Sequence, residues 1–199
     1  MAGAETRERI LQATVDTLAD QGYARTTARA IAVTGGFTAG VIYYHFADLD
    51  DLFIATAEFT SGSRLQRYRE ETEAVTSAHE LITRLRRLYV EDAGTRHVAA
   101  VQELVAAATG SPKLAAQLRT ETARWQDLAE TIIGRFAARS PFANLVPVRE
   151  LAATAVATYL GVEMLSHLNA DRQAPEALFE AAERAAILYD SITPGNPPR

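Results

Sequence analysis

The segment from Thr26 to Phe46, TTARAIAVTGGFTAGVIYYHF, constrains this chain more than any other. Two helical stretches of about two turns each meet there across Gly35 and Gly36, the sequence shape of a helix-turn-helix. The first stretch presents Ile31 and Ala32 inward, and the second presents Val41, Ile42, Tyr43 and Phe46. Both glycines are expected to supply the positive φ that the turn needs. A pair this short cannot bury enough surface alone, so a third helix must support it from residues 5–21. Ile10, Leu11, Thr14, Val15 and Leu18 recur there at helical spacing, and Gly22 is the expected stop. Tyr23 should fold back onto the small core. Thr26 is the expected N-cap of the second helix, which runs to about Val33, and Thr38 that of the third. Asp48 opens a fourth, with Asp50 and Asp51 in its positive first turn.

From Leu49 onward the pattern stays helical, and no strand pattern or internal repeat interrupts it. Leu52, Phe53 and Thr56 begin an inward stripe. Leu81, Leu85, Leu88 and Tyr89 mark a fifth helix, which Gly94 and Thr95 break before a sixth carrying Val101, Leu104, Val105 and Ala108. Gly110, Ser111 and Pro112 combine a helix stop, an N-cap and an N1 proline. The seventh helix carries Leu114, Leu118, Trp125, Leu128, Ile132 and Phe136, and two more occupy roughly 148–169 and 175–192. The expected fold is all-α, with about nine helices. A three-helix domain over residues 1–48 precedes a helical bundle over 49–199, and its tail from about 193 is expected to be disordered.

Composition narrows the function. The 199 residues carry no cysteine, so disulfides, thiolate metal sites and cysteine nucleophiles are excluded. No apolar run reaches the roughly 18 residues that span a membrane, and no signal-peptide core opens the chain, so a cytoplasmic location is expected. There is no nucleophile elbow, phosphate loop or HExxH motif, and the four histidines are scattered, so neither catalytic residues nor metal or cofactor are expected. The formal net charge is -5, and up to Asp50 four arginines face six acidic residues. DNA binding must therefore rest on local placement of Arg7, Arg9, Arg25 and Arg29, not on bulk charge. The same acidic balance leaves a protein–protein interaction module, or a regulator without tight DNA binding, as the alternative.

TRERIL, QGY, TT, IA, GG, TAGVIYYHF and DLDDLF, in this order and spacing, resemble the N-terminal domain of tetracycline-repressor (TetR) type regulators over residues 6–53. The resemblance implies a dimeric transcription factor, usually a repressor, released from a palindromic DNA operator by a small-molecule effector. It places Thr27 on a phosphate, Arg29 on a phosphate or base edge, and Arg7 on a further phosphate. Thr38, Ala39, Gly40, Val41 and Tyr43 would form the major-groove face of the recognition helix, with Tyr44 and His45 against the backbone. The chain departs from the family's pattern at Ala39 and Leu49, where relatives often carry lysine. Fewer phosphate contacts and a weaker salt dependence follow.

Polar and aromatic residues within apolar stripes of the bundle are the candidates for orienting an effector: Tyr89, Gln102, Trp125, Tyr159, Glu163 and His167. In the last helix Leu178, Ala182, Ala185, Tyr189 and Ile192 alternate spacings of four and three, a seam for a partner helix. In the helix before it Ala153, Ala157 and Gly161 form a small-residue stripe. Together these predict a homodimer through the last two helices.

Overall fold

A computed structural model describes residues 2–93, 95–141, 143–169 and 173–193. Nine α-helices and two short 3-10 turns, with no strand, make up these described residues. They are α1 (Ala2–Gln21), α2 (Ala28–Gly35), α3 (Ala39–His45), α4 (Leu49–Glu73), α5 (Ala78–Ala93), α6 (Arg96–Ala107), α7 (Pro112–Ala137), α8 (Val148–Asn169) and α9 (Gln173–Ile192). The expected all-α fold is the observed one. The tail from 194 lies outside the described residues.

Contacts group the chain into two compact units, Met1–Arg64 with Gly94–Glu121, and Leu65–Ala93 with Thr122–Arg199. They do not follow a single cut after residue 48. The start of α4, all of α6 and the start of α7 belong with the first three helices, because Ala100, Leu104 and Leu114 complete one buried cluster with Val15, Leu18, Phe53 and Ala57. A second cluster in the same unit joins Ile10 and Leu11 of α1 to Ile31 of α2, Ile42 and Phe46 of α3 and Leu52 of α4. All five residues of the predicted α1 stripe are buried. Val105 is not: α6 turns it to solvent and buries Ala100 and Leu104 instead.

The helix ends show why the pieces stop where they do. Gly22 ends α1 with φ 77, a left-handed value that glycine alone takes without strain. Tyr23 then packs its ring 5.1 Å from that of Phe53. The α4 start is a reciprocal cap, in which the Asp51 N–H donates to Asp48 Oδ1 at 2.8 Å and the Ala47 N–H to Asp51 Oδ2 at 3.1 Å. The first helix begins at Ala2 rather than near Glu5, since nothing in Ala2–Ala4 breaks it.

In the second unit Leu65, Tyr68, Leu88 and Leu128 form one buried cluster, and Val75, Leu81 and Phe136 another. Asp190 of α9 caps α5 from a distance: it accepts from the Ser77 hydroxyl at 2.7 Å and from the N–H groups of Ala78 and His79 at 2.8 and 3.0 Å. Burial pushes its carboxyl up, but these three hydrogen bonds outweigh that and hold it below the usual carboxylate range. Arg135 donates to the carbonyls of Thr72 and Glu73, which close α4.

Candidate nucleic-acid interface

The turn between α2 and α3 is built differently from the expectation of two positive-φ glycines. Only Gly36 is left-handed (φ 68, ψ 36), and its N–H closes α2 onto Ala32 and Val33. Gly35 is the last helical residue, and what it lacks is space. A Cβ there would lie 2.1 Å from Phe37 Cε1. The Phe37 ring, half-buried against the α1–α3 cluster, occupies the volume any side chain would need.

Thr27, not Thr26, caps α2, accepting the Ala30 N–H at 3.2 Å. Thr26 is buried and donates its hydroxyl back to the Gly22 carbonyl at 2.8 Å. Thr27 therefore keeps its hydroxyl proton at an exposed helix N-terminus, where donor groups and the helix dipole favour an anion. Thr38 has the extended backbone of an N-cap but makes no side-chain cap bond, so its exposed hydroxyl is not engaged in capping.

α3 splits cleanly into two faces. Ile42 is fully buried and Phe46, its C-cap residue, nearly so. Tyr43 is 55% exposed and Tyr44 85%, far more than ring burial in the core would leave. The inward placement expected for Tyr43 is therefore overturned: one residue past Ile42, it points some 100° away around the helix. Thr38 and Gly40 are exposed and Ala39 is half-exposed on the same outward side. Val41 is half-buried and packs on the α1–α3 cluster, which pulls it off the reading face. His45 sits edge-on to the Tyr44 ring at 5.1 Å.

The surrounding cations are positioned rather than massed. Arg29 is exposed on α2. Arg7 lays its guanidinium 5.1 Å from the Phe46 ring centre, at the end of α3. Arg9 donates to the Gly35 carbonyl at 3.4 Å and Arg25 to that of Gln21 at 2.8 Å. Two of the acidic residues are also spoken for, since Arg96 of α6 pairs with Asp20 and lies 3.8 Å from Asp16. The sequence reading missed Val33, 77% exposed one turn beyond Arg29 on the same side of α2. Its signal was the short inward set of Ile31 and Ala32, which leaves position 33 facing out.

The effector candidates fall in different places. Tyr89 is buried with its ring against Tyr159 (5.9 Å) and Phe179 (5.3 Å), which joins α5, α8 and α9. Trp125 stands edge-on to Tyr68 at 5.1 Å. Glu163 is buried on α8, one turn from Tyr159. Gln102 belongs to the first unit, apart from the other five in the grouping. The His167 side chain lies outside the described residues. An open cleft of about 230 Å³ in the second unit is lined by Arg69, Thr72, Asp127, Thr131 and Arg135 among others, and contains none of these candidates.

On α9 two seven-residue patterns run side by side. Pro175, Phe179, Ala182, Ala186, Tyr189 and Thr193 face the chain's own interior. Tyr189 packs on Phe136 and donates its hydroxyl to that residue's carbonyl. Ala182 and Tyr189 thus belong to the intramolecular face. The outward face is Leu178, Ala181, Ala185, Leu188 and Ile192, with Leu188 68% and Ile192 59% exposed. On α8 Ala157 is exposed, Ala153 and Gly161 are half-buried, and a Cβ on Gly161 would meet open space.

An exposed recognition helix, a capped preceding helix and a glycine-seated turn define the class: a helix-turn-helix DNA-binding transcriptional regulator. Residues 10–56 match the family model of bacterial regulatory proteins, tetR family. Over 183 residues the chain is 26% identical to the HTH-type transcriptional regulator UidR of Escherichia coli K12, covering 92% of this chain and 91% of UidR. An uncharacterized HTH-type transcriptional regulator of Mycobacterium tuberculosis is 32% identical over 71 residues, and that match spans only 36% of each chain. Among solved structures, a TetR-family regulator from Rhodococcus sp. superposes with a TM-score of 0.77 at 23% identity, covering 92% of this chain and 98% of that one. The transcriptional regulator FadR from Bacillus subtilis, solved in complex with stearoyl-CoA, does so with a TM-score of 0.76 at 19% identity, covering 89% and 95%. Residues 10–56 thus carry the N-terminal domain of the tetR family of bacterial regulatory proteins, and the rest of the chain shares the fold of TetR-family regulators. No helix among the described residues is long and apolar enough to cross a membrane.

Proposed function

We propose that this regulator is a cytoplasmic repressor rather than an enzyme. It binds a palindromic operator as a homodimer and leaves it when a small molecule enters the second unit. Residues 1–48 read DNA, and the second unit, Leu65–Ala93 with Thr122–Arg199, holds the effector and the partner copy. Thr38, Ala39, Gly40 and Tyr43 face the major groove, with Arg29 the donor able to reach a guanine and the Thr38 hydroxyl the other polar group. Thr27, Tyr44, His45 and Arg7 hold phosphates on either side. Val33 joins this surface from α2.

The observation that carries the dimer is the outward apolar stripe of α9, which no helix among the described residues covers. A second copy related by a two-fold axis would bury it together with Ala153, Ala157 and Gly161 of α8. Effector binding is supported by the aromatic contacts of buried Tyr89 and half-buried Tyr159 and Trp125, with Glu163 and His167 on α8 as polar candidates. That FadR, of the same fold, was solved with stearoyl-CoA supports a small-molecule effector. Gln102, in the first unit, is the least supported member of the set.

Selection of duplexes from a random library by the full chain, with light scattering on the same sample, tests the reading. The expected outcome is a dimer that enriches inverted half-sites about one helical turn apart, roughly 34–36 Å. A monomer at micromolar concentration that enriches no palindrome would overturn it.

A further inference from the structure

The 3-10 turn Tyr23–Arg25 carries the chain from α1 into α2, and so sets where the helix-turn-helix begins. Its N-cap is Gly22, which has no side chain to satisfy the first N–H. The missing acceptor comes from α6, eighty residues along: Glu103 Oε2 accepts the Tyr23 N–H at 2.7 Å. The same oxygen lies 3.2 Å from where a Cβ on Gly22 would be, so the carboxylate seats against a bare backbone. Seven residues earlier, on the same side of α6, Arg96 bonds Asp20 and lies 3.8 Å from Asp16, one turn apart on α1. Beside these polar ties Ala100 and Leu104 are fully buried in one cluster with Val15 and Leu18.

We propose that Glu103 and Arg96 are positioning residues for operator binding, a two-point latch by which α6 fixes the end of α1 and the entry into α2. The inference rests on α3 being the DNA reader. Neither side chain is placed on the reading face itself. Arg96 also cancels charge on two of the six acidic residues up to Asp50, which lowers the repulsion a phosphate backbone would meet. A capping carboxylate needs only an acceptor oxygen, so an amide can replace it at this site. A charge-neutralising arginine cannot be replaced that way.

The test measures operator affinity of the full chain across a salt series, using the duplex that the native protein selects from a random library. Glu103→Ala is expected to weaken binding about fivefold, the scale of a lost helix cap. Its salt slope should match the native one, because no phosphate contact is removed. Glu103→Gln should bind within about twofold of native, since its carbonyl restores the acceptor. Gly22→Ala should reproduce the Glu103→Ala defect. For the second tie, Arg96→Ala and Asp20→Ala should be non-additive in a double-mutant cycle read as operator affinity. Thermal melts of every variant separate loss of fold from loss of positioning. Native affinity in folded Glu103→Ala, a slope reduced by about one in that variant, or a Glu103→Gln as weak as Glu103→Ala would each overturn the latch. Failure of the native chain to select any duplex would instead count against the DNA reader itself, and the latch would fall with it.

Discussion

Replacing Gly35 by Ala isolates the steric reason for this glycine from the conformational one. Its φ is not positive, so alanine fits the backbone and by helix propensity alone should stabilise α2 by about 1 kcal/mol. Against that, the new Cβ would lie 2.1, 2.7 and 2.8 Å from three atoms of the Phe37 ring. Carbon atoms rest at about 3.5–4 Å, so the ring must retreat by about 1.5 Å. The ring is packed against the cluster of Ile10, Ile31 and Ile42, and forced repacking of this kind costs about 1–3 kcal/mol. The net expectation is a loss of about 1 kcal/mol, with the opposite sign from propensity alone. Urea denaturation of the full chain, followed by far-UV circular dichroism, reads this as a lower midpoint at unchanged slope. Gly35→Ala combined with Phe37→Val, which shortens the opposing side chain, should recover part of the loss and show coupling between the two sites. Gly36→Ala is the control: no atom lies within 4 Å of its Cβ, yet its φ of 68 should cost about 1–2 kcal/mol from strain alone. A Gly35→Ala chain as stable as native, or more so, would refute the reasoning, because the Phe37 seat would then be loose.

Three further outcomes are expected. The native chain should show a shallower salt slope than the six or more phosphate contacts of a strongly basic reader would give, and Arg7→Ala should lower it by about one further contact, both read from operator titrations between 50 and 200 mM salt. Asp190→Ala should cost about 1 kcal/mol at neutral pH through the lost cap on α5. Because the folded carboxyl is held below its usual range, that contribution is complete above a pH of about 4 and fades as pH falls through the lowered value. The stability gap between native and variant chains should therefore close in acid and persist at neutral pH. Leu188→Glu, on the outward face of α9, should convert the dimer to monomer in light scattering while leaving helix content unchanged, whereas Tyr189→Phe, on the inward face, should not.

The division of labour in α3 shows how far the sequence could be read. Helical spacing identified Ile42 and Phe46 as core and the segment as a reader, because burying an apolar face leaves a repeat in the letters. It also turned Tyr43 inward, although an aromatic residue beside a buried isoleucine suits either side. Its 55% exposure shows that it faces outward. Likewise Thr26 and Thr27 are the same residue type in succession. Only the hydrogen bond from Thr26 back to Gly22 decided which of them caps α2. The α9 seam was legible as a heptad, but two heptads overlap there, and which faces inward depends on where Phe136 and Tyr89 lie.

What the sequence determined by itself was local: an all-α chain, a helix-turn-helix at residues 26–46, Gly22 as a stop and Asp48 as a cap. Each follows from backbone preference or from periodicity within a few residues. Tertiary structure decided what depends on distant partners. α6 joins the DNA-reading unit, Glu103 caps a turn eighty residues away, and Asp190 caps α5 from α9. Gly35 is bare for the sake of Phe37 rather than for its dihedral angle. Those choices turn on which surfaces meet in space, and contacts between residues so far apart in the chain leave no pattern in a single sequence.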